Sequence, residues 1–268
     1  MNMLICIKQV PDTTEIKIDP VTNTLIRAGV PSIVNTFDTY ALELAARIKD
    51  ISGGRIIVMT MGPEQAKNAL RQCLEVGGDK AYLVSDRAFG GSDTLATSYI
   101  LSRAIHAIEE REGKFDIIFC GKQAIDGDTA QVGPEIAEHL DYPQVTYAIG
   151  ATAGDGEVEV KRETEDGFEV LAVPTPCVIT VTKTPFEPRN PSIKSKMAAK
   201  KAELPTLTAQ DFTLDLTKAG LKGSPTKVKR TFTPQVNKEG IIIREENGAV
   251  AAGKLYEVLF SKNLVHVR

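Results

Sequence analysis

Four short apolar runs, each followed by a longer amphipathic one, constrain this chain more than any other feature. MLICIKQV precedes FDTYALELAARIKD, RIIVMTMG precedes PEQAKNALRQCLEVG, KAYLVSD precedes SDTLATSYILSRAIHAIEER, and FDIIFCGKQ precedes a helix opened by DGDTAQVGPEIAEHL. The short runs are β-rich and of strand length; the long ones repeat their apolar residues at helical spacing. Parallel strands need long crossover connections, which such helices supply. The pattern predicts an α/β fold, a doubly wound and mainly parallel sheet. From residue 145 the texture changes. EVEVKRETEDGFEVLAVPTPCVITVTK reads as two extended runs around an acidic, glycine-containing turn, an antiparallel hairpin added to the sheet. This first domain is expected to span residues 1–184. Residues 185–205 are rich in Pro and Lys and then helix-like, and residues 206–268 are Pro-punctuated without a repeating period. The latter read as an extended C-terminal arm docked on another polypeptide.

Composition narrows the function classes. The 268 residues carry a net charge of −3, no Trp and 6% aromatics, which offers neither electrostatic pull toward nucleic acid nor a stacking platform for single strands. No run of about 18 apolar residues occurs, and Met1 leads straight into a strand-like stretch without a charged n-region. Neither membrane insertion nor a secretory signal is expected, and the cytoplasm is the expected location. Cys6, Cys73, Cys120 and Cys177 lie far apart in apolar stretches with no CxxC pair, as reduced core thiols do. No metal is expected. His106, His139 and His266 have no carboxylate or nucleophile pattern around them, and neither a Ser-His-Asp order nor HExxH is present. The chain reads as a holder of a redox cofactor that carries the chemistry itself.

Ligands of open α/β sheets sit beyond the carboxyl ends of the strands, so the loops after the strands are informative. GKQAIDGDTAQVGPEIA follows the fourth core strand. Asp126 and Asp128 flank Gly127, and Thr129 stands at the mouth of the next helix. Two readings are open there: a phosphate site at a helix N-terminus, or an N-cap by Asp128 or Thr129. Gln123 and Gln131 suit an adenine or ribose edge, and the loop is longer than a minimal strand-to-helix turn needs. In SDRAFGGSDTLATS, Gly90 and Gly91 precede a helix start. They either form an anion-cradling nest or a flexible loop closed by a Ser or Asp cap. Thr94 and Thr97 stand three apart on one helical face. In VNTFDTYALELAARIKD, Asn35 and Asp38 precede a helix, with Asp38 read as a cap. Neither a GxGxxG fingerprint nor a Walker loop occurs.

CIKQVPDT, VNTFDTYALE, GKQAIDGDTAQVGPEIAEHL and VKRETEDGFEVLAVPTPCVIT together resemble the β subunit of electron transfer flavoproteins. The resemblance covers essentially the whole chain. In the hairpin, Val160, Arg162, Glu165, Asp166, Gly167, Glu169, Leu171, Pro176, Val178, Ile179 and Thr180 fall where the family signature has those types. Thr36 departs from the Pro usual between Asn35 and Phe37. The resemblance implies a heterodimer with a larger α subunit that carries one FAD. The glycine-rich SDRAFGGSDTLATS and the DGDTAQVGP loop are similar to the bifurcating branch, which implies a second FAD in this subunit, reduced by NAD(H). Ferredoxin or flavodoxin and, through the α-subunit FAD, an acyl-CoA-type dehydrogenase would then be the acceptors. It implies further that the nucleotide is lined by the backbone at Cys6, by Asn35, Phe37 and Asp38, by Met61, and by Lys122, Gln123, Ala124, Asp126, Gly127, Asp128, Thr129, Gln131, Val132 and Gly133. Thr94 and Thr97 would reach the flavin half. Ile193, with Met197, would contact the partner dehydrogenase; without the resemblance this stretch reads as a solvated basic linker. Two alternatives stand beside this one: a non-bifurcating β subunit holding AMP, and an ATP-using α/β enzyme, because FGGSDT superficially resembles a pyrophosphatase loop.

Overall fold

Strand β1 (Asn2–Cys6) lies mid-sheet with every residue from Met3 to Cys6 buried. The computed structural model describes residues 1–12, 31–229 and 240–265. A small antiparallel pair, β2 (Gln9–Pro11) and β3 (Ser32–Val34), leads into α1 (Thr36–Ser52). Then come β4 (Arg55–Met61), α2 (Lys67–Glu75), β5 (Lys80–Val84), α3 (Thr94–Glu112), β6 (Ile117–Gly121) and α4 (Val132–Leu140). The alternation read from the apolar runs is present element by element.

The remaining elements are β7 (Gln144–Ala153), β8 (Glu157–Thr164), β9 (Gly167–Pro174), β10 (Cys177–Val181), α5 (Ile193–Lys201), β11 (Thr206–Leu207), α6 (Gly220–Gly223) and α7 (Gly248–Ser261). The sheet order is β11-β5-β4-β1-β6-β10-β7-β8-β9. It is parallel from β11 to β7, and the β7–β8 and β8–β9 pairs are antiparallel. The expected hairpin is β8–β9, but the apolar run after it belongs elsewhere. VPTPCVIT breaks at its prolines, and β10 enters the centre of the sheet between β6 and β7. β7 itself is an additional long strand.

Successive residues of each central strand face opposite layers. Met3 and Ile5 join Ile56, Val58, Leu83, Ile117 and Phe119 in the core under α1 and α2, whereas Leu4, Cys6, Ile57, Met59, Tyr82 and Ile118 pack under α3 and α4. All four cysteines are buried free thiols in these layers.

The chain divides into two compact units, Met1–Lys229 and Arg230–Arg268. Residues 206–229, expected in the arm, instead belong to the first. β11 pairs with β5, Leu207 and Ala219 are buried, and Phe212 and Leu214 pack against the same core. The second unit holds α7, capped by the Asn247 side chain accepting from the Ala249 N–H at 2.8 Å. Residues 230–239 of the expected arm, and His266, lie outside the described residues. Among the described residues no helix is long and apolar enough to cross a membrane.

Candidate functional site

The strand order reverses at β1: β4 and β5 extend the sheet to one side, β6 and β10 to the other. The crevice beyond the carboxyl ends of strands at such a switch point is where open α/β sheets bind ligands. Cys6 of β1 and Cys120 of β6 are register partners near those ends. The loops that follow these strands therefore leave the sheet side by side.

Asp38 fastens these loops together. Its carboxylate accepts from the Lys8 N–H at 2.6 Å, the Gly121 N–H at 3.1 Å and the Asn35 side-chain amide at 2.9 Å. Asn35 also donates to the Gln123 carbonyl at 2.8 Å and accepts from the Ile125 N–H at 3.1 Å. Asp38 is thus not the cap expected from its position. Asn35 holds the N-cap place without a side-chain cap bond, and Asp38 lies in the first turn of α1 with its carboxylate turned to the strand ends. Both side chains are buried, so each polar atom requires a partner, and the N–H groups where β1 and β6 stop supply them. Half-buried Phe37 passes so close to β6 that a Cβ on Gly121 would lie 2.8 Å from the Phe37 carbonyl carbon.

Burial pushes the Asp38 carboxyl up to about 7, against the opposing pull of Asn35 and the two N–H donors. An unfolded Asp titrates near 3.8. Between these values the folded chain holds a proton that the unfolded chain releases, so stability is greatest below the lower value and falls as pH rises through the upper one. The loss is on the order of 4 kcal/mol. Asp38→Asn is expected to flatten this slope in urea denaturation followed from roughly pH 4 to pH 8. An unchanged slope would assign the titration to another group.

The loop after β6 is shaped rather than slack. Lys8 Nζ pairs with both Asp126 oxygens, at 2.7 and 2.9 Å, and Gln123 Nε2 donates to Asp128 Oδ1 at 2.7 Å. Lys122 lies over the Tyr147 ring, 4.9 Å from its centroid, and Ala124 closes the turn by accepting from the N–H groups of Gly127 and Asp128. Asp128 and Ala130 take left-handed φ values of 50° and 54°. A left-handed non-glycine residue costs about 1–2 kcal/mol, and strain held in this way clusters where a ligand is gripped. α4 begins at Val132 behind Gln131, and no side chain caps it. The cap reading of Asp128 and Thr129 is therefore corrected: both are exposed and stand before the helix. An uncapped helix N-terminus beside such a loop can accept an anionic group. Gly133 has a different task. A Cβ there would lie 2.5 Å from Thr180 Cγ2, so its bareness lets α4 pack on β10.

The second loop reaches the first. Thr94 Oγ1 lies 3.1 Å from Gln131 Oε1 and 3.2 Å from Glu135 Oε1, which joins the start of α3 to the start of α4. Half-buried Thr97 follows on α3. Glu135 Oε2 is buried without a hydrogen-bond partner among the described residues, an acceptor that a ligand donor would satisfy. Asp93 caps α3, accepting from the Ala96 N–H at 3.0 Å, as the cap reading expects. Gly90 and Gly91 do not form an open nest. The Leu221 N–H donates to the Gly90 carbonyl at 3.1 Å, Ser92 Oγ accepts from the Gly220 N–H at 3.1 Å, and the Leu221 side chain covers Gly91.

Met61, at the end of β4, lines a cleft of about 200 Å³ with Lys8, Gln9 and Asp126. A larger cavity of about 420 Å³ lies between α1, α2 and residues 188–191 and contains none of these groups. The strand-end cleft fits the expected site better, since the switch point and the buried Asn35–Asp38 network converge there. Ile193 and Met197 belong to neither: they lie on α5, 82% and 60% exposed. Sequence reasoning does not single out Lys8 or Glu135: Lys8 sits inside the strand-like run MLICIKQV, and its only signal is that it is the first charged residue after the apolar part of β1.

The electron transfer flavoprotein domain model matches residues 22–212 of this chain. The electron transfer flavoprotein subunit beta of Thermoanaerobacterium thermosaccharolyticum is 51% identical over 99% of the chain and all of the relative. That of Megasphaera elsdenii is 47% identical, again over 99% and 100%. The caffeyl-CoA reductase-Etf complex subunit CarD of Acetobacterium woodii is 46% identical over the same shares. With a matching domain model over most of its length and relatives of this identity from end to end, the chain belongs to the electron transfer flavoprotein family, among its β subunits.

Proposed function

We propose that this chain is the β subunit of an electron transfer flavoprotein heterodimer and that its strand-end site holds FAD. The observation that carries this reading is the joining of two loops through Thr94, Gln131 and Glu135, which extends the site from the Asp126–Asp128 turn to the start of α3. A site of that reach suits a dinucleotide better than AMP. Bound there, FAD would take hydride from NADH and release electrons to ferredoxin or flavodoxin and, through the α-subunit FAD, to an acyl-CoA-type dehydrogenase.

The chain's own residues bind and orient. The uncapped N-terminus of α4 would receive phosphate oxygens. Lys8 and Asp126 would fix the turn beside it, Gln123 and Gln131 would meet the base or ribose, and Thr97 would donate toward the flavin end, which Thr94 would reach as an acceptor while its O–H stays on Gln131 or Glu135. The exposed Leu255, Tyr256 and Phe260 of α7 would dock on the α subunit, and Ile193 with Met197 on the dehydrogenase. The relative named as part of a caffeyl-CoA reductase complex supports a CoA-linked partner. An ATP-using role fits less well, because residues 220–226 engage the polar groups of the FGGSDT loop.

Cofactor extraction from the co-purified heterodimer tests this. Two FAD and no AMP are expected. One FAD with one AMP would replace the bifurcating reading by the AMP-holding one, and release of pyrophosphate from ATP would favour the third. Within the same site, Asp128→Ala with Thr129→Ala is expected to lower FAD retention severalfold on gel filtration, since polar anchors beside the α4 N-terminus are removed. Unchanged flavin content would remove these two residues from the site.

A further inference from the structure

The helix α5 carries Ile193 and Met197 outward, yet of its nine residues only Ala199 is buried. One buried alanine cannot fix the direction of a helix by apolar packing. Phe186 before it and Ala202 and Leu204 after it pack partly buried on the core, and polar contacts act on the helix at both ends.

Before the helix, Arg189 is gripped by the middle of α1. Its backbone N–H donates to Glu43 Oε2 at 3.0 Å and its Nε to the same oxygen at 2.8 Å. Its Nη2 reaches Glu43 Oε1 at 3.3 Å and Asp50 Oδ2 at 2.8 Å. Glu43 is 4% exposed. Burial opposes its charge, but the bonds from Arg189 and Arg47 outweigh that cost and hold the carboxyl below the usual range. At the other end, Arg71 of α2 donates through Nη1 to the carbonyls of Ala199 at 2.8 Å, Lys200 at 3.1 Å and Ala202 at 3.3 Å. These carbonyls belong to the last turn and the C-cap of α5, where partners are scarce; that of Ala199 also accepts from the Ala202 N–H at 3.2 Å. Between the clamps, Ser192 and Ser195 close a capping box that starts the helix at Ile193.

We propose that Arg189, through Glu43, and Arg71 are positioning residues that mount α5 on α1 and α2 and set the direction in which Ile193 meets the partner dehydrogenase. This rests on the docking reading of Ile193 given above. A planar guanidinium bonded to two carboxylates, one of which also accepts from the backbone N–H of the same arginine, restricts orientation in a way a single-point lysine contact does not. A pre-set anchor loses less freedom when it binds.

The test uses the αβ heterodimer and an acyl-CoA-type dehydrogenase from the same organism as electron acceptor. Arg189→Ala is expected to raise the KM for the dehydrogenase about tenfold, with kcat within about twofold and NADH-driven flavin reduction and flavin content unchanged. Arg71→Ala should act in the same direction, and Arg189→Lys should recover part of the loss. Amide exchange over residues 193–201 should accelerate in Arg189→Ala and stay as it is in Ile193→Ala. Adding Ile193→Ala to Arg189→Ala should raise KM little further, because a misdirected anchor has little left to lose. Fully additive effects, or an unchanged KM in both arginine variants, would overturn the proposal. If Arg189→Ala does not fold, Arg71→Ala decides by the same readouts. Should Ile193→Ala alone leave KM unchanged, the docking reading fails; the mount then stands or falls on the exchange rates.

Discussion

Gly121→Ala is expected to destabilise the protein by about 3 kcal/mol or more and, on the proposed reading of the strand-end site, to strip it of its nucleotide. The added Cβ would lie 2.2 Å from Asp38 Oδ1, 2.8 Å from the Asp38 nitrogen and 2.8 Å from the Phe37 carbonyl carbon. Two of these three neighbours are backbone, so no side-chain rotation relieves the clash. β6 and α1 must separate, and the Asp38 carboxylate is then drawn from the Gly121 and Lys8 N–H groups, which leaves buried donors unpaired. That separation opens the network that aligns the loops after β1 and β6. Gly127 is the control. A Cβ there meets nothing within 4 Å, and Gly127→Ala should change stability by no more than about 0.5 kcal/mol. Urea midpoints of the two variants, and the flavin content of Gly121→Ala beside that of the wild type, make the comparison. Normal midpoint and flavin in Gly121→Ala would show that the Asp38 bridge yields easily and does not shape the site.

Ile193→Ala should lower electron delivery to the partner dehydrogenase by about tenfold at subsaturating partner, while heterodimer stability, flavin content and reduction by NADH stay unchanged. The side chain is 82% exposed at the first position of α5, among Lys and Ser neighbours, so truncating it removes no core contact. An isolated aliphatic group in a polar rim is how small transient interfaces concentrate binding energy. Stopped-flow reduction of the dehydrogenase, read beside NADH-driven reduction of the flavoprotein alone, separates delivery from acquisition. Equal delivery rates in variant and wild type would end the docking role. Loss of flavin or of the heterodimer would make Ile193 a structural residue.

What the residues disclosed, and what they hid, follows from how far apart the interacting groups lie. The strands and helices of residues 36–140 were legible because periodicity is local, whereas the small β2–β3 pair was not. The two loops at the switch point were legible because strand ends and helix starts can be counted. Asp38 was found but misjudged: an Asp near a helix start reads as a cap, whereas its partner Gly121 is 83 positions away. β7 was not separated because QVTYAIGATA alternates weakly, with small residues where a strand core would have large ones. The run into β10 was joined to the hairpin because prolines, not a change in polarity, mark its boundary. Residues 206–229 read as an arm because they dock by isolated apolar residues, Leu207 and Ala219, which leave no period behind. The exposure of Ile193 was readable from its polar neighbours, but the clamp by Glu43 was not, for Glu43 looks like any charged residue of an amphipathic helix.

The placing of β10 between β6 and β7 has a consequence for how the chain is assembled as it is synthesised. The backbone ladder joins β7, β8 and β9 to the rest of the sheet only through β10, although all three precede it in sequence. Until residue 177 has left the ribosome, β6 presents an open edge and the three-strand meander has no parallel neighbour to join. Its arrival closes that edge and couples the meander to the sheet in one step, late and non-local, the type of step that slows folding and exposes a nascent chain to strand-edge association. Chains truncated before Cys177 should therefore aggregate, and native-state exchange should show β7, β8 and β9 opening as one unit, released whenever β10 lets go.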